Sequence, residues 1–153
     1  MPATSAEGTQ RGYIIPIGGA EGKRSKPAIL NRFVELCGGD EARILVIPTA
    51  SLLNETGPLY QKLFKSMGAR SMCVPIESRE ECFNEETLRA LGEASGIFIT
   101  GGNQLRLSTI LGGTPIARLI RKYCTCADFD IGNNVAGNST DIRCATREEH
   151  WTR

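Results

Sequence analysis

The chain of 153 residues has little of several features that mark common functional classes. Its formal net charge is +1, so it lacks the excess of positive charge with which proteins bind nucleic acid or anionic membranes. No apolar run comes near the roughly 20 residues that span a bilayer. There is a single histidine, His150, and a single tryptophan. We therefore predict neither nucleic acid nor a membrane as a partner.

The six cysteines lack the paired spacing of common zinc sites. Cys124, Cys126 and Cys144 could be combined with His150 as a ligand set, but no C-x-x-C or H-x-x-H pair is present. We therefore predict no metal and no cofactor. The other three lie in apolar or element-edge contexts, which is typical of free thiols in a reducing compartment and predicts a cytoplasmic protein. These three are Cys37, Cys73 and Cys82.

A nucleotide-binding loop is also missing. The segment Gly18-Gly19-Ala20-Glu21-Gly22-Lys23 superficially resembles a P-loop. A P-loop, however, needs a glycine where Ile17 stands and a serine or threonine where Arg24 stands. The glycine pair still follows an apolar run, so we expect it at the carboxyl end of a strand.

Between residues 12 and 123 the sequence alternates regularly between two patterns. Short apolar runs at 13–17, 43–47, 71–74 and 96–100 are separated by segments whose apolar residues recur at helical spacing. Continuous apolar runs are typical of parallel strands that are buried on both faces. The pattern predicts an α/β fold with a doubly wound, mostly parallel sheet and helices on both faces, in a flavodoxin-like topology. Residues 1–11 are predicted to be a disordered leader.

The most informative segment follows the fourth apolar run. Thr100-Gly101-Gly102-Asn103-Gln104 comes directly after Gly96-Ile97-Phe98-Ile99, and a helix-like segment then begins. Ligands of open α/β sheets bind at the carboxyl ends of the strands, and adjacent glycines let the backbone approach a ligand closely. The alternative is a simple strand-to-helix turn in which Asn103 caps the helix. The local sequence leaves both interpretations open.

Residues 124–153 differ in character from the rest. They have no clear period, and they carry half of the cysteines together with the only histidine and tryptophan. One interpretation is a final strand followed by a polar tail. The other, which we favour, is an irregular and aberrant segment that does not belong to the preceding fold, as after a shifted reading frame.

Four motifs together resemble one peptidase family. They are the segments at 17–21 (IGGAE), 47–51 (IPTAS), 97–107 (IFITGGNQLRL) and 110–115 (ILGGTP). In order and spacing they are similar to the cyanophycinase and peptidase E family of serine peptidases, whose fold resembles class I glutamine amidotransferases. The resemblance covers residues 12–123. It implies a serine-type exopeptidase that releases β-Asp-Arg dipeptides from cyanophycin, a bacterial nitrogen-storage polymer.

The resemblance also assigns roles to the glycine segment. It implies that the backbone N–H groups of Gly101, Gly102 and Asn103 supply one side of an oxyanion hole. Gln104 matches the glutamine that borders the substrate pocket in the family. Such a hole stabilises the negative charge that develops on the carbonyl oxygen during acyl transfer.

The nucleophile is the weakest point of the resemblance. Ser139 stands in its place, but Asp141 replaces the glycine that the family has two residues later. A Cβ there would crowd the strained turn, and the carboxylate would bring negative charge next to an oxyanion. His150 follows Ser139 too soon to match the family's catalytic histidine.

These departures predict a chain of cyanophycinase-like lineage that is an inactive fragment, incomplete at its C-terminus. The alternative is a non-catalytic module that binds an aspartyl or arginyl dipeptide. A sheet without its last elements would leave an edge uncovered, so we also expect pairing between copies as a homo-oligomer.

Overall fold

Three parallel strands form the centre of the fold. The computed structural model describes residues 13–17, 28–124 and 143–144, and only the backbone of the last two and of residues 123 and 124. Short 3₁₀ turns cover Gly39–Glu41 and Glu80–Phe83. The helices and strands, in chain order, are α1 (Ala28–Leu36), β1 (Arg43–Ile47), α2 (Thr56–Ser66), β2 (Arg70–Cys73), α3 (Glu85–Glu93), β3 (Gly96–Ile99), α4 (Gln104–Leu111), α5 (Pro115–Cys124) and β4 (Arg143–Cys144).

The sheet has the strand order β2-β1-β3-β4. Strand β1 pairs in parallel with both β2 and β3, and β4 runs antiparallel to β3. The chain leaves β1 towards β2 on one side and then returns to β3 on the other side. Strands β1 and β3 therefore flank a topological switch point, where the ligands of open α/β sheets bind.

Helices cover both faces of this sheet, as predicted. Helices α1 and α2 pack on one face around Phe98, whose ring lies 4.6 Å from that of Tyr60 and 4.9 Å from that of Phe64, measured between centroids. Helices α3, α4 and α5 pack on the other face. The buried residues of β1 and β3 alternate between the two faces and are apolar, which explains the continuous apolar runs at these strands. The doubly wound α/β prediction is confirmed.

The first apolar run forms less structure than predicted. Within residues 13–17 only Ile14 and Ile17 make isolated β-bridges, and no continuous strand is formed. Pro16 has no N–H group to donate to a ladder, which accounts for the interruption. The segment still contributes to the interior, because Ile14 packs on one face of the sheet and Ile17 on the other.

Residues 143 and 144 form β4, which pairs with Ile97 and Phe98 of β3. The rest of the 125–153 segment, with Ser139, Asp141 and His150, lies outside the described residues, as does the leader at 1–11. The expectations for these residues therefore stay predictions. None of the helices in the described ranges combines the length and the apolar composition of a segment that spans a bilayer.

Three of the cysteines are free thiols within the described ranges. Cys37 and Cys82 are buried and Cys73 is half-buried. Burial raises the pKa of Cys37 to about 12 and also raises the pKa values of Cys73 and Cys82. Since the thiolate is the nucleophile, these side chains act as small apolar residues and not as reactive groups.

Candidate functional site

Two loops meet at the switch point, one after β1 and one after β3. The N–H group of Asn103 donates a hydrogen bond of 2.7 Å to the carbonyl oxygen of Ala50. Gly102 lies so close to the same carbonyl that a Cβ would overlap its oxygen, and its φ of +150° is one that favours glycine. The second glycine of the pair is therefore required by the contact between two backbones.

The glycine pair leaves hydrogen-bond donors available. The N–H of Thr100 donates to the carbonyl oxygen of Ile47 over 3.1 Å, which ends the pairing of β3 with β1. The next two N–H groups, of Gly101 and Gly102, have no hydrogen-bond partner among the residues that the structure describes. Backbone N–H groups without a partner at the end of a strand can stabilise an oxyanion.

A small indentation lies beside these glycines. Its free volume is about 10 Å³, which is the space that one water molecule needs. Gln104 is half-buried and lines it, and within the described ranges its side-chain amide makes no hydrogen bond. Gln104, Gly101 and Gly102 thus line one small space that is large enough for a water molecule.

Asn103 has a structural task in this loop. Its side-chain oxygen accepts the N–H of Arg106 over 3.0 Å and so caps α4, which confirms the capping interpretation. Its own N–H is already bound to Ala50. Of the three N–H groups that the resemblance assigns to an oxyanion hole, those of Gly101 and Gly102 are therefore the available ones.

Arg106 links the two loops, a role that was not predicted from the sequence. Its Nε–H donates to the carbonyl oxygen of Thr49 over 3.0 Å. The side chain is half-buried, and no carboxylate in the described part of the chain lies within ion-pair distance of it. The bond at Nε leaves the two terminal amino groups of the guanidinium for a ligand. Its place in the first turn of α4, two residues after Gln104, was the signal that could have found it.

A larger cleft opens on the other side of the β1–α2 loop. Its volume is about 470 Å³, and Arg106 and Glu77 are the charged side chains that border it. The cleft lies outside the carboxyl ends of β1 and β2. The remaining lining residues come from the two loops there and are Pro48, Thr49, Ser51, Leu52, Leu53, Asn54, Pro75 and Ile76.

Two buried hydroxyl groups border these spaces without a partner. Thr49 is 3% exposed and borders the cleft, and Thr100 is 2% exposed and borders the indentation. Among the described residues neither Oγ1 makes a hydrogen bond. Buried polar side chains nearly always have a partner, because burial without one costs about 1–3 kcal/mol. Unpartnered hydroxyls at a sheet's carboxyl edge are expected where a ligand or water completes the site.

Ser51 has a local role in the β1–α2 loop. Its Oγ lies 2.8 Å from Thr56 Oγ1 and accepts the N–H of Leu53 over 3.1 Å. These contacts shape the β1–α2 loop just before α2 begins. Ser51 therefore organises one wall of the cleft.

Arg79 fixes the far end of α4. One terminal amino group of its side chain donates to the carbonyl oxygens of Thr109 and Gly112 over 2.9 and 2.8 Å. A cation at this end of a helix satisfies free carbonyl groups and complements the helix dipole. Because Arg106 and Asn103 hold the other end, α4 is anchored at both ends relative to the glycine pair.

The metal and nucleophile predictions fall largely outside the described residues. No three His, Cys, Asp or Glu side chains within 13–17 and 28–122 are grouped closely enough to hold a metal ion. Cys126, His150 and Ser139 are among the residues that the structure does not describe. The chemistry of the described site is that of hydrogen-bond donors and one cation.

Sequence comparisons identify relatives with a consistent description. Residues 14–140 match the sequence model of peptidase family S51. A cyanophycinase from Trichormus variabilis is 35% identical over 126 residues, which are 81% of this chain and 42% of the relative. A cyanophycinase from Synechococcus elongatus is 35% identical over 136 residues, 88% of this chain and again 42% of the relative. The chain thus spans less than half the length of these curated relatives.

A solved structure shares the fold. The crystal structure of a peptidase from an acI-B1 actinobacterium aligns with a TM-score of 0.63 over 76% of this chain and 51% of the other. The sequence identity is 21%, so this likeness concerns the architecture alone. The family match covers the glycine pair, Gln104 and Arg106, and the relatives match most of the chain at 35% identity. The chain belongs to peptidase family S51.

Proposed function

We propose that this chain carries the oxyanion-binding and substrate-binding part of a cyanophycinase-like, serine-type exopeptidase. The substrate is cyanophycin, and the product is the β-Asp-Arg dipeptide. The observation that carries the proposal is the pair of N–H groups at Gly101 and Gly102 that have no partner within the described residues. The 35% identity to two cyanophycinases supports the substrate.

In this proposal Ser139 occupies the position of the nucleophile, which acts only where a general base is present to take its proton. The base takes the Oγ proton as Oγ adds to the carbonyl carbon of the peptide bond, and the carbonyl oxygen takes up the negative charge. The N–H groups of Gly101 and Gly102 donate to that oxygen. Collapse of the tetrahedral intermediate breaks the C–N bond, and the base passes its proton to the amine that leaves. Water, which gives a proton to the same base, then hydrolyses the acyl-enzyme and frees the serine hydroxyl. The match to the family extends to residue 140 and so includes Ser139.

We further propose that the 153-residue chain alone binds its substrate without turning it over. Asp141 stands where the family has a glycine, two residues after the serine, and its carboxylate opposes an oxyanion. His150 is the only histidine and follows Ser139 by 11 positions, sooner than the resemblance places a catalytic base.

Turnover is tested by incubating the purified chain with cyanophycin and measuring soluble β-Asp-Arg by mass spectrometry. We expect no release above a blank. Release that Ser139→Ala abolishes would overturn the proposed inactivity and would identify the nucleophile. Release that Ser139→Ala leaves unchanged would point to a contaminating enzyme, and the native chain would then count as inactive.

A second candidate is a non-catalytic module that binds an aspartyl or arginyl dipeptide. The guanidinium of Arg106 forms no ion pair with any residue that the structure describes, and this favours it, because a carboxylate is the natural partner of such a group. Calorimetry with β-Asp-Arg tests whether the chain binds this dipeptide, as both candidates require. Saturable heat without turnover supports binding, and no heat at millimolar dipeptide would rule out the proposed substrate for this chain.

A further inference from the structure

We propose that the cleft between the β1–α2 loop and the end of β2 is a subsite for a peptide that carries both signs of charge. Arg106 binds a carboxylate of the peptide, and Glu77 binds a guanidinium or ammonium group. The proposal deepens the proposed function, on which it rests for the substrate class. It adds a second binding region, separate from the indentation at the glycine pair.

The first argument is the state of Arg106. Its Nε–H is bound to the Thr49 carbonyl at 3.0 Å, which fixes the direction of the guanidinium. The side chain is half-buried, and no acidic residue in the described ranges forms an ion pair with it. A cation that is held in place and partly removed from water gains much from an anionic partner. The cleft that it borders is the space in which such a partner would lie.

The second argument is independent and comes from Thr49. Its hydroxyl is buried and has no partner among the described residues, and Thr49 borders the same cleft. The carbonyl oxygen of this residue already accepts a hydrogen bond from Arg106 Nε. A buried hydroxyl without a hydrogen-bond partner lowers the stability of the fold. A ligand in the cleft would supply the donor or acceptor that the Thr49 hydroxyl lacks.

The third argument concerns Glu77, the other charged residue that borders the cleft. Glu77 is exposed at the cleft, and its backbone N–H is fixed by Glu81 Oε2 at 2.8 Å. Leu52 and Leu53 are 73% and 71% exposed and also border the cleft. An arginyl side chain combines an apolar stem with a charged head, so it can lie against the leucines and reach the carboxylate.

The two binding regions are neighbours. Ala50 lines the indentation at the glycine pair, while Thr49 and Ser51, on either side of it in sequence, line the cleft. In the first turn of α4, Gln104 lines the indentation and Arg106 lines the cleft. One extended peptide can therefore occupy both regions, with the reacting bond at the glycines and further units in the cleft.

The test measures binding by calorimetry to the full 153-residue chain. The probes are a synthetic trimer of β-Asp-Arg units and the same trimer with citrulline, a neutral analogue, in place of arginine. We expect the arginine trimer to bind about threefold more tightly than the citrulline trimer, as befits an exposed ion pair. Glu77→Gln is expected to remove this difference, and Glu86→Gln, at an exposed site on α3, to keep it.

Arg106 is tested with the same probes. Arg106→Gln is expected to weaken both trimers about tenfold, because it removes a charge-assisted hydrogen bond. Arg106→Lys keeps the charge and is expected to recover part of the loss. Arg89→Gln, exposed on α3, is the control and should bind like the native chain. A thermal melt of each variant checks that it is folded. Because Glu77 is exposed, Glu77→Gln is expected to fold, so the test stays decisive even if the Arg106 variants do not fold.

Amide chemical shifts separate this proposal from the function on which it rests. If the trimer shifts the Gly101 and Gly102 amides while the Glu77 and Arg106 variants bind like the native chain, the subsite is wrong and the proposed function stands. If binding depends on Glu77 and Arg106 but these amides do not move, the subsite stands and the oxyanion role is wrong. If neither trimer binds, both are overturned.

Discussion

The two ends of β3 are built in opposite ways. At the amino end, Ser95 Oγ accepts the N–H of Arg43 over 2.8 Å, and the N–H of Ser95 donates to the Arg43 carbonyl over 2.9 Å. Gly96 there packs against the side chain of Cys37. At the carboxyl end, the Thr100 hydroxyl has no partner within the described residues, and Gly102 packs against a backbone carbonyl.

The difference separates stability from function within one strand. Polar groups that serve the fold are paired, because an unpaired buried group lowers stability. Unpaired polar groups at the carboxyl edge of the sheet are expected where a ligand supplies the partner. Ser71 Oγ in β2 is also buried without a partner among the described residues, so the contrast applies to β3 and not to the whole sheet. The amino end of β3 thus belongs to the scaffold, and the carboxyl end, with Thr100 and the glycine pair, to the candidate site.

The largest effect is predicted for Gly102→Ala. The new Cβ would overlap the carbonyl oxygen of Ala50, and the φ of +150° is strained for alanine. We expect a loss of about 3 kcal/mol in the free energy of unfolding, measured with urea. Ala50→Gly should not rescue it, since the obstacle is backbone and remains in glycine. A Gly102→Ala variant of native stability would contradict the observed approach of the two loops.

A smaller effect, which a second substitution should partly relieve, is predicted for Gly96→Ala. Its Cβ would meet the Cys37 sulfur, which belongs to a side chain that can be shortened. We expect a loss of about 1–3 kcal/mol, as for other overpacked cores. The double variant with Cys37→Ala should be more stable than the sum of the two single changes predicts, by about 1 kcal/mol. Strictly additive losses would show that the two residues do not compete for space.

The fold was largely predictable because its signals are local. The run at 43–47 became β1 without a change of boundary, and β3 ends one residue before the predicted strand. Asn103 caps α4, as its neighbours in sequence suggested. The prediction of a continuous strand over 13–17 was wrong. It relied on the hydropathy of the run and gave too little weight to Pro16, which has no N–H group to donate to the ladder.

The candidate site was predictable only in part. The glycine pair was identified from its place behind an apolar run, which is again a local signal. The bond from Arg106 to Thr49 joins residues that are 57 positions apart, and the contact of Gly102 with Ala50 spans a similar distance. Such contacts depend on the strand order, which brings the ends of β1 and β3 side by side. The unpaired state of a hydroxyl likewise cannot be known before its neighbours are placed.

Ser95→Ala tests the paired end of β3 and is expected to have a moderate effect. The change removes the acceptor of the Arg43 N–H, which lies at 2.8 Å. Since the group is only half-buried and water can replace the serine in part, we expect a loss of about 1 kcal/mol in the free energy of unfolding. A variant as stable as the native chain would mean that this end of the strand is not held by the pairing described.

Thr100→Val tests the unpaired end and should change stability by a similar amount, with the opposite sign. Valine has nearly the shape of threonine and removes a buried hydroxyl without a partner, so we expect a gain of about 1 kcal/mol. The control is Thr114→Val. The Thr114 hydroxyl is equally buried, but it donates to the Leu111 carbonyl over 2.6 Å and should cost stability when removed. If both valine variants lose stability equally, Thr100 has a partner in solution, and the contrast between the two ends of β3 fails at this residue.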